Sequence, residues 1–146
     1  MNNSIKTLQQ MLIDEQATEH PSFPRAYIPI PQRTDKTANG LTQCIMDYIR
    51  LRGGQAERIS IMGRPTETAT GIRWDKSHMT RGTADISAIV GGRAVKIEVK
   101  IGRDRQSEEQ RRYQSDVERA GGLYYIARNF DCFIDWYKLN FSNDGK

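Results

Sequence analysis

The sequence predicts an α/β fold, a mixed β-sheet flanked by helices, and three stretches predict it. In residues 84–101, Ala84, Ile86, Ala88 and Val90 alternate with Asp85 and Ser87, while Val95, Ile97, Val99 and Ile101 alternate with Lys96, Glu98 and Lys100. A period of two marks strands, and Gly91-Gly92 between the runs marks a hairpin, because both glycines can take the positive φ of a primed turn. Residues 41–49 instead place Leu41, Cys44, Ile45, Tyr48 and Ile49 on one helical stripe. Beyond the hairpin, a helix starting at Ser107 leads through Gly121-Gly122 into the apolar run Leu123–Ala127, the pattern of a buried strand that pairs in parallel.

In chain order, Ile5, Leu8, Leu12 and Ile13 predict a thinly apolar helix over 4–17. Four of the five prolines then fall in 20–31, with Phe23, Tyr27, Ile28 and Ile30 between them, so this stretch is extended and lays apolar residues on the domain surface. Residues 1–36 read as an N-terminal extension whose role is packing or, second, assembly of a homo-oligomer; residues 37–140 read as the main domain. Thr37 or Asn39 caps the next helix, which runs to about Arg52 and ends at Gly53-Gly54. Asp47 points away from its apolar stripe. Gln55–Met62 follows as the first strand.

Residues 63–81 form a long polar connection, with a small hairpin expected around Ala69–Gly71 and a basic, aromatic mix of Arg64, Arg73, Trp74, Lys76, His78 and Arg81. Connections of this length are uncommon. Two readings stand: a flap on a phosphate backbone with Trp74 stacking on a base or sugar, or a solvated insertion. At the other end of the chain, Asn129 or Asp131 caps a last helix whose Phe130, Phe133, Ile134, Trp136 and Tyr137 are core, and residues 140–146 fray.

Bulk properties narrow the class. At 146 residues, with 37% hydrophobic and 27% charged, the chain is one domain with a core that needs no disulfide. No apolar run reaches membrane length and the first ten residues are too polar for a secretory signal, so a cytoplasmic location is expected. Cys44 and Cys132 lack ligand spacing and read as small core residues, which argues against zinc. His20 and His78 have no partner in view. The net charge of +4 and pI of about 9.2 are compatible with a polyanion as partner and do not require one.

The chemistry concentrates in the hairpin. If Gly91-Gly92 is a two-residue loop, Val90 pairs with Arg93, Asp85 lies opposite Glu98, and Thr83 lies opposite Lys100. Directly opposed Cβ atoms are about 4.5–5.5 Å apart, so two carboxylates are held together on one sheet face. Folding alone does not reward that, so a cation belongs between them: a bound metal, Lys100 on the same face, or both. The bland alternative is a loop acid beside a solvated face. Ser107-x-x-Gln110 is a capping box, yet Gln110 shares a helix face with Tyr113 and Val117 and so points toward the sheet. Arg103, Arg105, Arg111 and Arg112 gather at that helix's entrance, where a phosphate can be met or where a solvated face simply lies.

Gly82-x-x-Asp85, then Glu98-Val99-Lys100, then Gln110 early in a helix followed by Gly-Gly and an apolar strand, resembles the VRR-NUC branch of the PD-(D/E)XK nuclease superfamily over about residues 40–137. The resemblance implies a restriction-endonuclease-like αβββαβ core and Mg²⁺- or Mn²⁺-dependent hydrolysis of DNA phosphodiesters. The enzyme would be structure-selective, of low sequence specificity, and active in replication, repair or recombination. It implies that Asp85, Glu98 and the Val99 carbonyl hold the metal and that Lys100 and Gln110 complete the catalytic set; the placement of charge then makes Arg81, Arg103, Arg105, Arg111, Arg112 and Trp74 the residues expected to meet DNA. Many members also carry an acid near the start of the first core helix; here Asn39, Gly40 and Thr42 stand there, which argues against a second metal. The competing readings are a Holliday-junction resolvase of the same superfamily, an inert nucleic-acid-binding module, and a generic α/β adaptor.

Overall fold

The computed structural model describes residues 3–59, 64–75 and 80–141. Helix α1 (Asn3–Glu19) leads through an extended proline-rich strap, broken by one 3-10 turn at Arg25–Tyr27, to α2 (Ala38–Leu51) and β1 (Gln55–Arg58). A separate hairpin, β2 (Arg64–Thr68) and β3 (Gly71–Asp75), precedes the central hairpin β4 (Ile86–Val90) and β5 (Arg93–Val99). Helix α3 (Glu108–Arg119), strand β6 (Leu123–Ala127) and helix α4 (Phe130–Phe141) complete the chain. The main sheet has the order β1-β4-β5-β6, antiparallel except for the β5/β6 pair. The protein is therefore of mixed α/β class, and the element order reads αβββαβ from α2 to β6 once the β2–β3 hairpin is set aside.

The expected turn is present. Gly91 and Gly92 have φ of 56° and 77°, and Val90 pairs with Arg93 and Ile86 with Ile97. Alternation then divides the sheet into two faces. Ile86, Ala88, Val90, Val95, Ile97 and Val99 join the core with Leu41, Ile45 and Ile49 of α2 and Phe130, Phe133 and Tyr137 of α4. Asp85, Ser87, Lys96, Glu98 and Lys100 occupy the other face, where α3 lies.

The helix ends match the capping logic. The Thr37 hydroxyl accepts from Gly40 N, whereas Asn39 is used elsewhere, accepting from Arg58 at 2.7 Å. Asn129 Oδ1 accepts from Cys132 N at 2.8 Å, and Asp35 of the strap accepts from Phe130 N at 3.0 Å, so a residue from the strap closes the start of α4.

Some expectations need correction and others hold. Cys44 is buried, and burial pushes its thiol up to about 11, but Cys132 is exposed, because it sits on the outer side of α4. Asp47 does leave the apolar stripe, yet it is buried, since the strap crosses it and Arg33 pairs with it at 2.7 Å. Of the strap's apolar residues only Ile28 is buried; Phe23, Tyr27 and Ile30 stand exposed. The first strand keeps its ladder only over Gln55–Arg58; residues 60–62 of the expected strand, with Lys76, His78 and the expected fraying of 142–146, lie outside the described residues. The hairpin expected around Ala69–Gly71 is the β2–β3 pair. Among the described residues, no helix is long and apolar enough to cross a membrane.

Helix α1 belongs to the same core: Ile5, Leu8 and Leu12 are buried with residues of α2 and α4. Leu8 is fully buried, so Leu8→Ala is expected to cost about 2–5 kcal/mol through lost transfer energy and the cavity left behind. Urea unfolding measures this, and a midpoint equal to the wild type's would show that α1 does not share the fold's cooperative unit.

Candidate active site

The register that pairs Ile86 with Ile97 makes Asp85 and Glu98 the next pair outward, on the face that α3 covers. Glu98 is 4% exposed and Lys100 is 8% exposed, so the site is enclosed although its residues are charged. Asp85 is half-buried at the start of β4; its Oδ2 accepts from Val99 N at 2.7 Å while its own carbonyl accepts from Ile59 N at 2.8 Å. Backbone groups on both neighbouring strands therefore fix Asp85. Lys100 Nζ stands 3.7 Å from Glu98 Oε1, and Lys100 N donates to the Ala127 carbonyl at 2.9 Å.

Gln110 performs both tasks that the sequence left in competition. Its Oε1 accepts from Ser107 N, closing the capping box, and its Nε2 donates to Glu98 Oε1 at 2.8 Å. A primary amide has an acceptor and two donors, so one end can cap the helix while the other holds the carboxylate. What brings α3 this close is Gly82. It has φ +75°, and a Cβ placed there would lie 2.4 Å from the backbone carbonyl of Glu109 and 2.6 Å from Gln110 N. Only a residue without a side chain admits the first turn of α3 at that spot.

The electrostatics are adverse in one respect. Burial, then the charge of Asp85 and its hydrogen-bonding contact, push the Glu98 carboxyl up to about 8, and Lys100 only partly opposes this. Burial and the charge of Glu98 also raise the Tyr113 phenol, while burial above all takes Tyr124 to about 12. Glu98 Oε2 is buried without a hydrogen-bond partner among the described residues. The neighbouring Asp85 carboxylate partners only a protonated Glu98, the form that a carboxyl raised to about 8 takes at neutral pH in the metal-free protein; once ionised, that oxygen has no donor among the described residues.

An unpartnered buried oxygen beside a second carboxylate fits a hard divalent cation, which takes oxygen ligands. Among the described residues no group of three or more His, Cys, Asp or Glu side chains gathers, so the acidic donors here are Asp85 and Glu98 alone. Backbone carbonyl and water oxygens would have to complete such an ion's shell.

The structure separates the remaining candidates. Arg81 is exposed in the turn ahead of Gly82. Arg103 and Arg105 line a hollow just past Lys100. Arg111 donates to the Gln106 carbonyl at 3.4 Å, and Arg112 pairs with Glu108 at 3.9 Å. Trp74 is 60% exposed on the separate β2–β3 hairpin, paired across from Pro65. Sequence reasoning missed two cations. Lys96, one step below Glu98 on the same face, donates to Ser87 Oγ at 2.7 Å, and the period of two could have found it. Arg128, immediately after β6, shares the hollow of Arg103 and Arg105, and only the β5/β6 pairing reveals that.

No family model matches the chain, and no curated protein matches it.

Two outcomes are expected. Gly82→Ala should push back the first turn of α3, lowering stability by about 1–3 kcal/mol through strain at a positive φ and overpacking; a thermal melt identical to wild type would show that α3 does not bear on residue 82. In metal-free protein, the Glu98 carboxyl is raised in the folded state, so its stabilising effect is full below the unfolded value near 4.5 and is lost as pH rises through about 8. Melting temperature in EDTA should therefore fall across that window by several degrees more in the wild type than in Glu98→Gln; equal slopes would remove the case for a raised Glu98.

Proposed function

We propose that this chain is a divalent-metal-dependent nuclease that hydrolyses DNA phosphodiester bonds, built on a restriction-endonuclease-like core of the VRR-NUC type. The observation that carries the reading is the Asp85/Glu98 pair with the buried, unpartnered Glu98 Oε2. The αβββαβ order and the Gly82, Lys100 and Gln110 contacts agree with it.

The protein's own groups divide the work. Val99 N–H fixes Asp85, and the Gln110 amide fixes Glu98, so both carboxylates are presented without freedom to turn away. Mg²⁺ or Mn²⁺ held by Asp85, Glu98 and the Val99 carbonyl would supply Lewis acidity and a water of lowered pKa. The Lys100 ammonium, 3.7 Å from Glu98, is placed to orient the attacking water and to offset negative charge that grows on the phosphate. Burial strengthens both effects, because water does not screen them there.

One observation favours a second reading. With only two acids in the cluster among the described residues, an inert nucleic-acid-binding module remains the natural competitor. It predicts binding that persists in EDTA and no cleavage with Mn²⁺.

The deciding experiment is cleavage of flap, nicked, linear and four-way DNA with a panel of divalent metals and an EDTA control. Metal-dependent cutting is expected, and Asp85→Asn or Lys100→Ala should reduce it by at least about a hundredfold while the fold persists. Full activity in either variant, or cutting in EDTA, would overturn the assignment; selective resolution of four-way DNA would identify a junction resolvase.

A further inference from the structure

Arg103, Arg105 and Arg128 come together although sequence separates them. The loop leaving β5 and the residue leaving β6 border an open hollow of about 450 Å³ lined by Gly102, Arg103, Asp104, Arg105 and Arg128, all of them exposed. Parallel pairing of β5 with β6 forces this meeting, since Val99 lies beside Ala127 and the two chains leave the sheet at the same end. In open α/β sheets the crevice outside the carboxyl ends of the strands is where ligands settle.

Three guanidinium groups and a single carboxylate line the hollow. Among the described residues none of the three arginines forms a salt bridge. Arg128 Nη1 donates to the Asp104 carbonyl at 3.0 Å, which ties the two loops and steadies one edge of that guanidinium, while its other donors have no acceptor among the described residues. Three cations around one carboxylate leave an excess of positive charge, and an oxyanion that accepts paired N–H groups relieves it with directional bonds. The other two arginines of the α3 entrance are engaged elsewhere, Arg111 with the Gln106 carbonyl and Arg112 with Glu108. Gly102 follows Lys100 by two residues, so the hollow begins within about 7 Å of backbone from the carboxylate cluster.

We propose that Arg103, Arg105 and Arg128 form a pocket for one phosphate group of a nucleic-acid strand, anchoring that strand beside the Asp85/Glu98 pair. This rests on the nuclease reading and adds to it the group that sets where the strand lies. The phosphate can be an internal diester or a terminal monoester; the chemistry of recognition is the same.

The test is metal-free binding, in EDTA, of a fluorescein-labelled DNA duplex across a salt series. Arg128→Ala should weaken binding about tenfold. Because Arg128 also ties two loops, Arg103→Ala and Arg105→Ala, which break no hydrogen bond among the described residues, carry the same expectation. The triple variant should lower the slope of log affinity against log salt by about one, the value for a single phosphate. Arg119→Ala, which removes the same charge at the far end of α3, should leave affinity and slope unchanged. Wild-type binding by Arg128→Ala and Arg103→Ala, or equal weakening by Arg119→Ala, would overturn the pocket. A loss seen equally on closed circular DNA marks an internal diester; a loss confined to 5′-phosphorylated ends marks a terminal monoester; a loss on neither overturns the proposal. No cleavage is required, so DNA that is bound through these arginines but never cut would defeat the hydrolase reading alone, while cutting indifferent to them would defeat the pocket alone.

Discussion

Two carboxylates opposed across an antiparallel strand pair are the constraint to which the rest of the site responds. The Gly91-Gly92 turn fixes the register, and the register leaves Asp85 and Glu98 no alternative but to face each other. Every nearby donor answers that repulsion. Val99 N–H takes one oxygen of Asp85, the Gln110 amide takes one oxygen of Glu98, and the Lys100 ammonium lies alongside. The positive end of α3 is turned toward the same place, since Gln110 sits in its first turn. Even so, when Glu98 is ionised one of its oxygens has no donor among the described residues, and a buried acceptor in that state costs about 1–3 kcal/mol.

The cost is tolerated because the two faces of the sheet have different duties. Toward α2 and α4 the strands present Ile86, Ala88, Val90, Val95, Ile97 and Val99, and α1 adds Ile5, Leu8 and Leu12 behind them. Toward α3 no residue of the helix is fully buried, and the contact is polar and aromatic, through Gln110 on Glu98 and Tyr113 against Tyr124. Stability resides on one side and the charged groups on the other, so the polar side can hold an unsatisfied atom without endangering the fold.

The parts legible in the sequence were those governed by strict periods or single-residue signals. A period of two with Gly-Gly at its centre gave the hairpin register, and Ser107-x-x-Gln110 gave the start of α3. Both rest on local geometry, which a local pattern encodes. The illegible parts depend on which distant segments meet. Helical spacing puts Asp47 off the apolar stripe, but its burial follows from Arg33 in a strap that carries no periodicity. Cys132 looks like a core residue by type, and only the rotation of α4 against the sheet puts it outside. The contribution of α1 to the core was hidden for the same reason, as a thin stripe becomes a core face only when partners exist. Gln110 shows the opposite failure, where two roles were treated as rivals although an amide can satisfy both.

Arg128 shows how topology converts scattered charge into a site. Along the chain it is an isolated base between an apolar strand and an aromatic helix, more than twenty residues from Arg105. A parallel strand pair brings the ends of β5 and β6 to one edge of the sheet, and so delivers Arg128 to the loop that carries Arg103 and Arg105. The same edge lies next to Lys100, whose backbone N–H is bonded to the last residue of β6. A cluster of acids that favours a cation and a hollow of arginines that favours an anion thus stand side by side. On the nuclease reading, a phosphate chain with its counter-cation would satisfy both at once.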